Sequence, residues 1–412
     1  FFWVARMIIA NIEFMKGMPN RAGKPRKKDE ELVPFRDVYF TSIIRDSQGR
    51  KMSKSLGNSP EPLDVIAEYG ADALRFTISY ISPLGQDVLF STDKCELGRN
   101  FANKIWNAGR FLLMNKAEIS GDVLLNLDKL PEEHLDLADR WILSRLNHSI
   151  KDVTKALELF QINECTKLLY DFLWHDFCDW YVELVKTRFY GNEPAATRKI
   201  VVRRALWIFD RALRMLHPVM PFISEELWQH LTDRKGASIM KAEFPVADSS
   251  WIDPKTEKNM TFVQKVISAV RNIRGENNIP PAREINVQVV VTKRDRGTIL
   301  GTHEKYLQKL GKVGAVEKIK AGSKPKLASS AVVDGIELFV PLEGLIDVGT
   351  ERKRLEKEIV RLEQIIESIQ KKLKNPQFVE RAPKEIVEKE KEKEENFRAS
   401  LEKLRGNLEH LG

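Results

Sequence analysis

Cysteine is scarce in this sequence. Cys95, Cys165 and Cys178 are scattered over 412 residues, and no two have the CxxC spacing. Neither a structural zinc site nor a disulfide framework is therefore expected. Isolated thiols fit a reducing compartment, so a cytoplasmic location is expected. Long apolar runs are missing as well. None reaches the roughly eighteen residues a membrane span requires, so no transmembrane helix and no membrane partner are expected. Charge is not of one sign: 67 Lys and Arg face 59 Asp and Glu, for a net charge of +8. That excess permits a polyanionic partner without requiring one, because clustering matters more than the total. The opening Phe1-Phe2-Trp3-Val4 carries no initiator Met and no basic n-region. It does not read as a signal peptide. It reads as the middle of a domain, and a fragment of a longer protein is expected.

What is present is length, core-forming residues and one dense patch of chemistry. With 412 residues and 42% hydrophobic content, the chain is globular. It should hold roughly two to four domains. The patch is Gly49-Arg50-Lys51-Met52-Ser53-Lys54-Ser55-Leu56-Gly57-Asn58, with three cations and two hydroxyls between two glycines. Residues 38–44 alternate as a strand, 46–49 carry a turn signal, and a helix is expected over 62–69. The basic cluster then lies on a loop between strand and helix. Glycine permits unusual backbone angles, and ammonium groups meet phosphate oxygens. Such a loop suits a triphosphate held while an anhydride bond breaks. A short Lys/Ser string on its own is more often a solvated turn, so its neighbours must decide.

Along the rest of the chain the periods change. Residues 3–15 are apolar on nearly all sides, which predicts a buried helix. Residues 17–31 are a polar, basic loop. Helical spacing returns in 64–66 and 71–77, followed by a turn at 82–87 and the apolar Val88-Leu89-Phe90. Asp72 and Arg75 have the spacing of an exposed i,i+3 ion pair. From about 96 onward the pattern is a helical bundle. Its apolar stripes are Phe101, Ile105, Ala108, Phe111 and Leu112, then Trp141, Ile142, Leu146, Ile150, Val153 and Leu157. A third helix is expected over 163–189, with Leu168, Phe172, Phe177, Trp180 and Val185 in the core. A fourth covers 201–216 and stops at His217-Pro218. A short fifth opens at Ser224. Aromatics at this spacing are core first, because burial takes aromatic area before nucleic acid does. Arg110-Phe111 is the pair singled out for RNA, with the guanidinium on a phosphate and the ring under a base. His175 and His217 read as satisfied core histidines. A small α+β module follows, with a helix over 262–274, a strand over 285–291 and a helix over 304–310. A hairpin turns at Asp334-Gly335. Two long charged helices end the chain. Leu355, Ile359, Leu362, Ile366, Ile369 and Leu373 form one heptad seam; Phe397, Leu401, Leu404, Leu408 and Leu411 form the other. Glu390 and Lys393 fall on the seam and weaken its middle. An antiparallel hairpin is expected, with a dimerising coiled coil as the alternative.

Residues 51–55 read KMSKS, the second signature of class I aminoacyl-tRNA synthetases. Residues 1–8, 45–50, 69–76, 172–181, 216–222, 271–274 and 375–383 resemble the valyl-tRNA synthetase family in the same order. The resemblance implies a mostly α chain in five parts. Residues 1–60 would end an α/β Rossmann-type catalytic domain carrying the KMSKS loop. Residues 61–95 would be a connector, 96–257 a helical anticodon-binding bundle, 258–347 a small α+β module, and 348–412 an antiparallel coiled-coil arm that binds tRNA. The implied enzyme is a valine–tRNA ligase. It takes valine, ATP with Mg²⁺ accompanying the nucleotide, and tRNA(Val), is monomeric, and has no protein-bound metal in this chain. Lys51 and Lys54 would be catalytic. Met52, Ser53 and Ser55 would join them in binding ATP. Arg110, Phe111, Lys371, Lys372, Lys374, Arg381 and Lys384 would touch tRNA. The partner tetrad His-Ile-Gly-His and the editing insertion of the family do not occur here, so the chain alone is not expected to activate an amino acid. A non-catalytic tRNA-binding paralogue, an isoleucyl or leucyl relative, and a helical scaffold with an incidental basic loop remain as alternatives. The C-terminal hairpin and the lack of C-terminal zinc cysteines favour the valyl family.

Overall fold

Capping explains where several helices start. Asp253 accepts hydrogen bonds from the Lys255 and Thr256 amides ahead of Pro254, whose missing N–H costs nothing in the first turn. Pro62 opens another helix in the same way, and Gly70 closes it. The computed structural model describes residues 2–20, 22–26, 29–120, 127–231, 236–323, 325, 327–345, 348–374 and 384–410. In chain order the elements are α1 (Phe2–Met15), α2 (Asp29–Leu32), β1 (Ile44–Arg45), α3 (Pro62–Tyr69), α4 (Ala71–Ile81), β2 (Val88–Leu89), α5 (Cys95–Ser120), α6 (Leu137–Glu158), α7 (Ile162–Tyr170), α8 (Val182–Phe189), α9 (Ala195–Leu216), α10 (Pro221–Leu231) and α11 (Pro254–Glu276). Then come β3 (Ile285–Val291), α12 (Arg294–Thr302), α13 (Glu304–Gly311), β4 (Val313–Lys318), β5 (Ala328–Val333), β6 (Ile336–Pro341), α14 (Val348–Lys374) and α15 (Lys384–His410). The chain is mostly helical with a small sheet. No described helix is long and apolar enough to cross a membrane.

Two compact units share these elements. The first comprises Phe1–Lys129, Leu146–Cys178 and Ala205–Ala247. Phe76, Phe101, Ile105, Leu112, Phe172, Phe177 and Phe209 are fully buried in it. Gly98 lets α4 and α5 touch, because a Cβ there would lie 2.4 Å from the Ala73 carbonyl oxygen. Several expectations fail in this unit. The strand over 38–44 shrinks to Ile44–Arg45, paired in parallel with Val88–Leu89. Alternation marks a segment able to pair, but the ladder extends only as far as its neighbour does. Helix α1 forms, yet none of its described residues is buried, and Phe2, Trp3, Ile9 and Phe14 are each at least two-thirds exposed. Apolarity states that a helix needs cover; it does not supply the cover. Asp72 and Arg75 are not an exposed pair. The buried Asp72 carboxylate accepts from the Phe222 amide at 3.2 Å and the Ile223 amide at 2.7 Å, at the start of α10. Arg75 donates to the carbonyls of Pro218 at 3.0 Å and Val219 at 3.2 Å. The first N–H groups of a helix have no partner in their own helix, and they hold this carboxylate. Burial pushes its pKa up all the same.

The segment expected as one helix over 163–189 is α7, a π-helical stretch Asp171–Tyr181, and α8. Leu168 in α7 and Trp180 in the π-helical stretch are only half-buried, while Phe172, Phe177 and Val185 reach the core as expected.

The second unit comprises Leu130–Arg145, Asp179–Arg204 and Asp248–Gly412. Its sheet has the order β4-β3-β6-β5, with β3 and β4 parallel and the other pairs antiparallel. The Asp334-Gly335 turn closes β5 and β6 with both φ angles positive, 42° and 93°, as a primed turn requires. α14 and α15 pair as an antiparallel hairpin. Gln370 donates to Glu394 at 2.7 Å and Arg405 to Glu363 at 2.7 Å across it. Ile359, Leu362, Ile366, Ile369 and Val387 are buried in the seam. Glu390 lies mostly covered there and pairs with Lys393 at 2.8 Å, so the charged interruption is compensated locally.

The same unit buries a charge network. Asp139 and Arg204 are both fully buried. The Asp139 carboxylate takes Arg188 and Arg204, each at 2.6 Å, and the Tyr181 hydroxyl at 3.1 Å. Arg204 also donates to the Pro131 carbonyl at 2.9 Å and to the Glu133 carbonyl, which pins the segment ahead of α6. Removing one partner leaves a buried charge uncompensated. Arg204→Met is therefore expected to cost about 3–5 kcal/mol, read as a drop in the urea midpoint. An unchanged midpoint would contradict the network's role.

Candidate active site

β1 delivers the chain into a tight turn. The Gly49 amide donates to the Asp46 carbonyl at 2.9 Å, and the Asp46 amide to the Arg50 carbonyl at 3.0 Å. Gly49 has φ 78°, a region a side chain enters only with strain. The Asp46 side chain then gathers the loop. Its Oδ1 accepts from the Gln48 amide at 3.0 Å and the Arg50 amide at 2.8 Å. Its Oδ2 accepts from Arg50 Nε at 2.8 Å and Asn58 Nδ2 at 2.9 Å. Asn58 also donates to the Lys51 carbonyl at 3.2 Å and accepts from the Ser53 amide at 2.9 Å. One amide side chain thus ties the far end of the loop to its beginning. Between them, Ser53 caps a short 3₁₀ turn over Lys54–Leu56, its hydroxyl accepting from the Leu56 amide at 3.3 Å. The Ser53 and Ser55 hydroxyls lie 3.2 Å apart.

The arrangement sorts the side chains. Met52 is half-buried against the apolar cluster of Val65, Phe90 and Cys95, beside Ile44 and Tyr69. Lys51, Lys54 and Ser55 are exposed. Arg50, the third cation, is tied to Asp46. No described carboxylate pairs with Lys51 or Lys54. The loop therefore presents two unneutralised ammonium groups and two hydroxyls from a fixed base, which is chemistry for polyphosphate oxygens. Those five positions are the ones read from the sequence. Asp46 and Asn58 were missed as site residues; the available signal was turn chemistry, since Asp and Asn side chains bond nearby backbone amides.

The other candidate residues lie elsewhere. Arg110 is exposed and Phe111 half-buried on α5. In the same unit, the Lys104 ammonium sits 4.0 Å from the Trp174 ring centroid, and that ring stacks on Tyr170 at 5.2 Å. Lys371, Lys372 and Lys374 are exposed in the last turn of α14, with Lys371 paired to Glu367 at 2.8 Å. Arg381 falls outside the described residues. Lys384 opens α15, and its side chain falls outside them too. His217 is satisfied as expected, 2.8 Å from the Ser224 hydroxyl, with burial lowering its pKa. His175 is exposed, contrary to expectation; it lies in the π-helical stretch with its ring roughly perpendicular to that of Tyr170, centroids 5.8 Å apart. Among the described residues no group of His, Cys, Asp and Glu is arranged to hold a metal ion.

The Asn58 amide, with Arg50 behind it, holds the Asp46 carboxyl down from 3.8 to about 2, against the opposing effect of burial. A carboxyl held low stabilises the fold above its unfolded value and loses that contribution as pH falls through the folded one. A carbon-13 titration of Asp46 is thus expected to give a midpoint near 2. A midpoint at the ordinary carboxylate value would show that the loop is not braced.

Comparison with known proteins places the loop in context. Residues 1–91 match the family described as tRNA synthetases class I (I, L, M and V). Residues 139–290 match the anticodon-binding domain of tRNA ligase, and 347–412 the valyl tRNA synthetase tRNA binding arm. The chain is 41% identical over 387 residues to the valine–tRNA ligase of Fusobacterium nucleatum, a match covering 93% of this chain and 41% of that protein. It is 43% identical over 393 residues to that of Chlorobaculum tepidum, with the same two coverages. It is 41% identical over 385 residues to that of Geobacillus stearothermophilus, again with 93% and 41% covered. The chain thus spans about two fifths of the length of the curated relatives it matches. A solved LeuRS–tRNA–LeuAMS complex of Agrobacterium radiobacter K84 overlaps 54% of this chain and 26% of its own at 22% identity and a TM-score of 0.43, too loosely to carry weight. With the arm, the anticodon-binding region and the KMSKS segment matched in order, the chain belongs to the valyl-tRNA synthetase family.

Proposed function

We propose that the chain is part of a valine–tRNA ligase and contributes the loop that acts on ATP together with the helices that hold tRNA(Val). The observation that carries this reading is the pair of exposed ammonium groups of Lys51 and Lys54, which pair with no carboxylate among the described residues, on a loop whose base is braced. In the first reaction a valine carboxylate oxygen attacks the α-phosphorus of ATP. The bond to the bridging oxygen breaks, and pyrophosphate leaves with the valyl-adenylate formed. Negative charge builds on the β and γ phosphates. Little covalent work falls to the protein, so catalysis is positioning plus charge neutralisation. Lys54 and Lys51 supply the neutralising charge, and Ser53 and Ser55 supply hydroxyl donors. Met52, turned into the apolar cluster, holds the loop from below. The loop offers ammonium and hydroxyl groups rather than carboxylates, so Mg²⁺ is assigned to the nucleotide and not to these residues.

In the second reaction the valyl group passes to the terminal ribose of the tRNA. The reading divides the chain as catalytic end 1–60, connector 61–95, anticodon bundle 96–257, α+β module 258–347 and arm 348–412. Arg110 and Phe111 would meet the anticodon stem-loop. Lys371, Lys372, Lys374, Arg381 and Lys384 would meet backbone phosphates, which give affinity but no base identity. A monomeric, cytoplasmic enzyme belongs to the same reading.

Two measurements test it. Lys54→Ala in the full-length enzyme is expected to lower valine-dependent ATP–pyrophosphate exchange by about 10²–10³-fold, the effect of losing one preorganised charge partner, with tRNA affinity unchanged. Equal losses in both would contradict the assignment. Replacing Lys371, Lys372 and Lys374 with Ala is expected to flatten the salt dependence of tRNA binding. Each lost phosphate contact should remove about 0.7–0.9 from the log–log slope. An unaltered slope would remove these lysines from the interface.

A further inference from the structure

We propose that Asp46 and Asn58 are positioning residues for the ATP reaction: their side chains clasp the two ends of the KMSKS loop and so fix where the Lys51 and Lys54 ammonium groups stand. The proposal rests on the reading of the loop as the ATP-acting element. Neither residue belongs to the five-residue signature, and neither would touch the nucleotide.

Three observations converge on it. The first is depth: Asp46 is only 7% exposed, on a loop whose working side chains are open to solvent. A carboxylate is covered only when its oxygens are occupied, and both Asp46 oxygens are, by four donors between 2.8 and 3.0 Å. The second is reach. Asn58 bridges back to Asp46 and in the same grip holds the Lys51 carbonyl and the Ser53 amide. The backbone on each side of Met52 is therefore tied to one side chain. The third is charge selection. Arg50 is the cation that Asp46 keeps, at 2.8 Å, which leaves the phosphate-facing charge to the two lysines. The charged group paired with Asp46 is Arg50; its chain neighbour Arg45 is held instead by Asp87 at 2.5 Å.

Long flexible lysines placed on a loose loop would reach the triphosphate in many geometries. A displacement of about 1 Å in a catalytic group costs on the order of 10²-fold in rate. A clasp at the base of the loop narrows that spread without contacting substrate. The polarity of the clasp also makes it testable. Asn58 must donate to a carboxylate that only accepts. An aspartate at 58 would face Asp46 as a second carboxylate, and such a pair shares one proton with a raised pKa.

The experiment is valine-dependent ATP–pyrophosphate exchange by the full-length enzyme from pH 5.5 to 8.5, with tRNA affinity measured alongside. Asn58→Asp is expected to lose about 10²-fold in kcat at pH 8, with the KM for ATP changed little and tRNA affinity unchanged. Its activity should recover as pH falls, because protonating the carboxyl pair restores a donor, whereas the parent enzyme gains nothing on the acid side. The swap Asp46→Asn with Asn58→Asp restores one donor facing one carboxylate. It should regain at least about tenfold over Asn58→Asp at pH 8, since coupling of this kind shows as non-additivity between contacting residues. A pH profile for Asn58→Asp parallel to the parent's, or a swap no better than the single variant, overturns the positioning role while the assigned reaction stands. A parent enzyme inert with valine overturns the assigned reaction and the positioning role together.

Discussion

The Asp46 carboxylate accepts two backbone amides of its own turn, the Arg50 guanidinium and the Asn58 amide, all within 3.0 Å. Much else in the first unit follows from that set of bonds. The turn is closed, so Lys51 can bridge back against Arg45. Asn58 is drawn in, so the 3₁₀ turn over Lys54–Leu56 has a fixed origin. Met52 can then sink into the cluster built by α3, β2 and the start of α5. Its two flanking lysines are left outside. The loop resembles a bracket more than a flexible tether: anchored at both ends and in the middle, with its two lysine tips exposed. Under the proposed function, an order already present before ATP binds need not be created at the moment of reaction.

Elsewhere the same economy recurs with other residues. Asp72 holds the start of α10 while Arg75 holds the turn between α9 and α10, so a pair three residues apart fixes a helix junction instead of decorating a surface. In the second unit, Arg204 reaches from α9 to the carbonyls ahead of α6 and shares Asp139 with Arg188. These polar groups are costly to bury, and each is satisfied. They fix segments whose apolar contacts alone would allow sliding.

Helix spacing was legible wherever one face was consistently apolar: α5, α6, α9 and α11 form where periodicity puts them, although α9 and α11 begin six and eight residues earlier than expected. In the arm Ile359, Leu362, Ile366 and Ile369 are buried on the expected seam, while the side chains of Leu355 and Leu411 lie outside the described residues. The strand over Ile285–Val291 and the primed turn at Asp334-Gly335 were legible for equally local reasons. What was lost needed a partner the sequence does not name. Residues 38–43 had strand character but no long neighbour. The apolar α1 did not reveal that it would be uncovered. β4 escaped notice because Val313–Lys318 lacks a clean apolar alternation and pairs at an edge, and α12 because Arg294–Thr302 carries few apolar residues and two glycines. The five loop residues stood out by charge density. The clasp beneath them did not, since an Asp in a turn and an Asn after a Gly are common in any loop.

The central claim is that Lys51 and Lys54 stand free because they wait for polyphosphate. Acetylation of individual lysines in the full-length enzyme, followed by mass spectrometry with and without ATP and valine, measures this most directly. The account predicts that Lys51 and Lys54 react readily in the free enzyme and are protected when ATP and valine are bound, while the arm lysines Lys372 and Lys374 react equally in both. Equal modification of Lys51 and Lys54 with and without ATP and valine would contradict it.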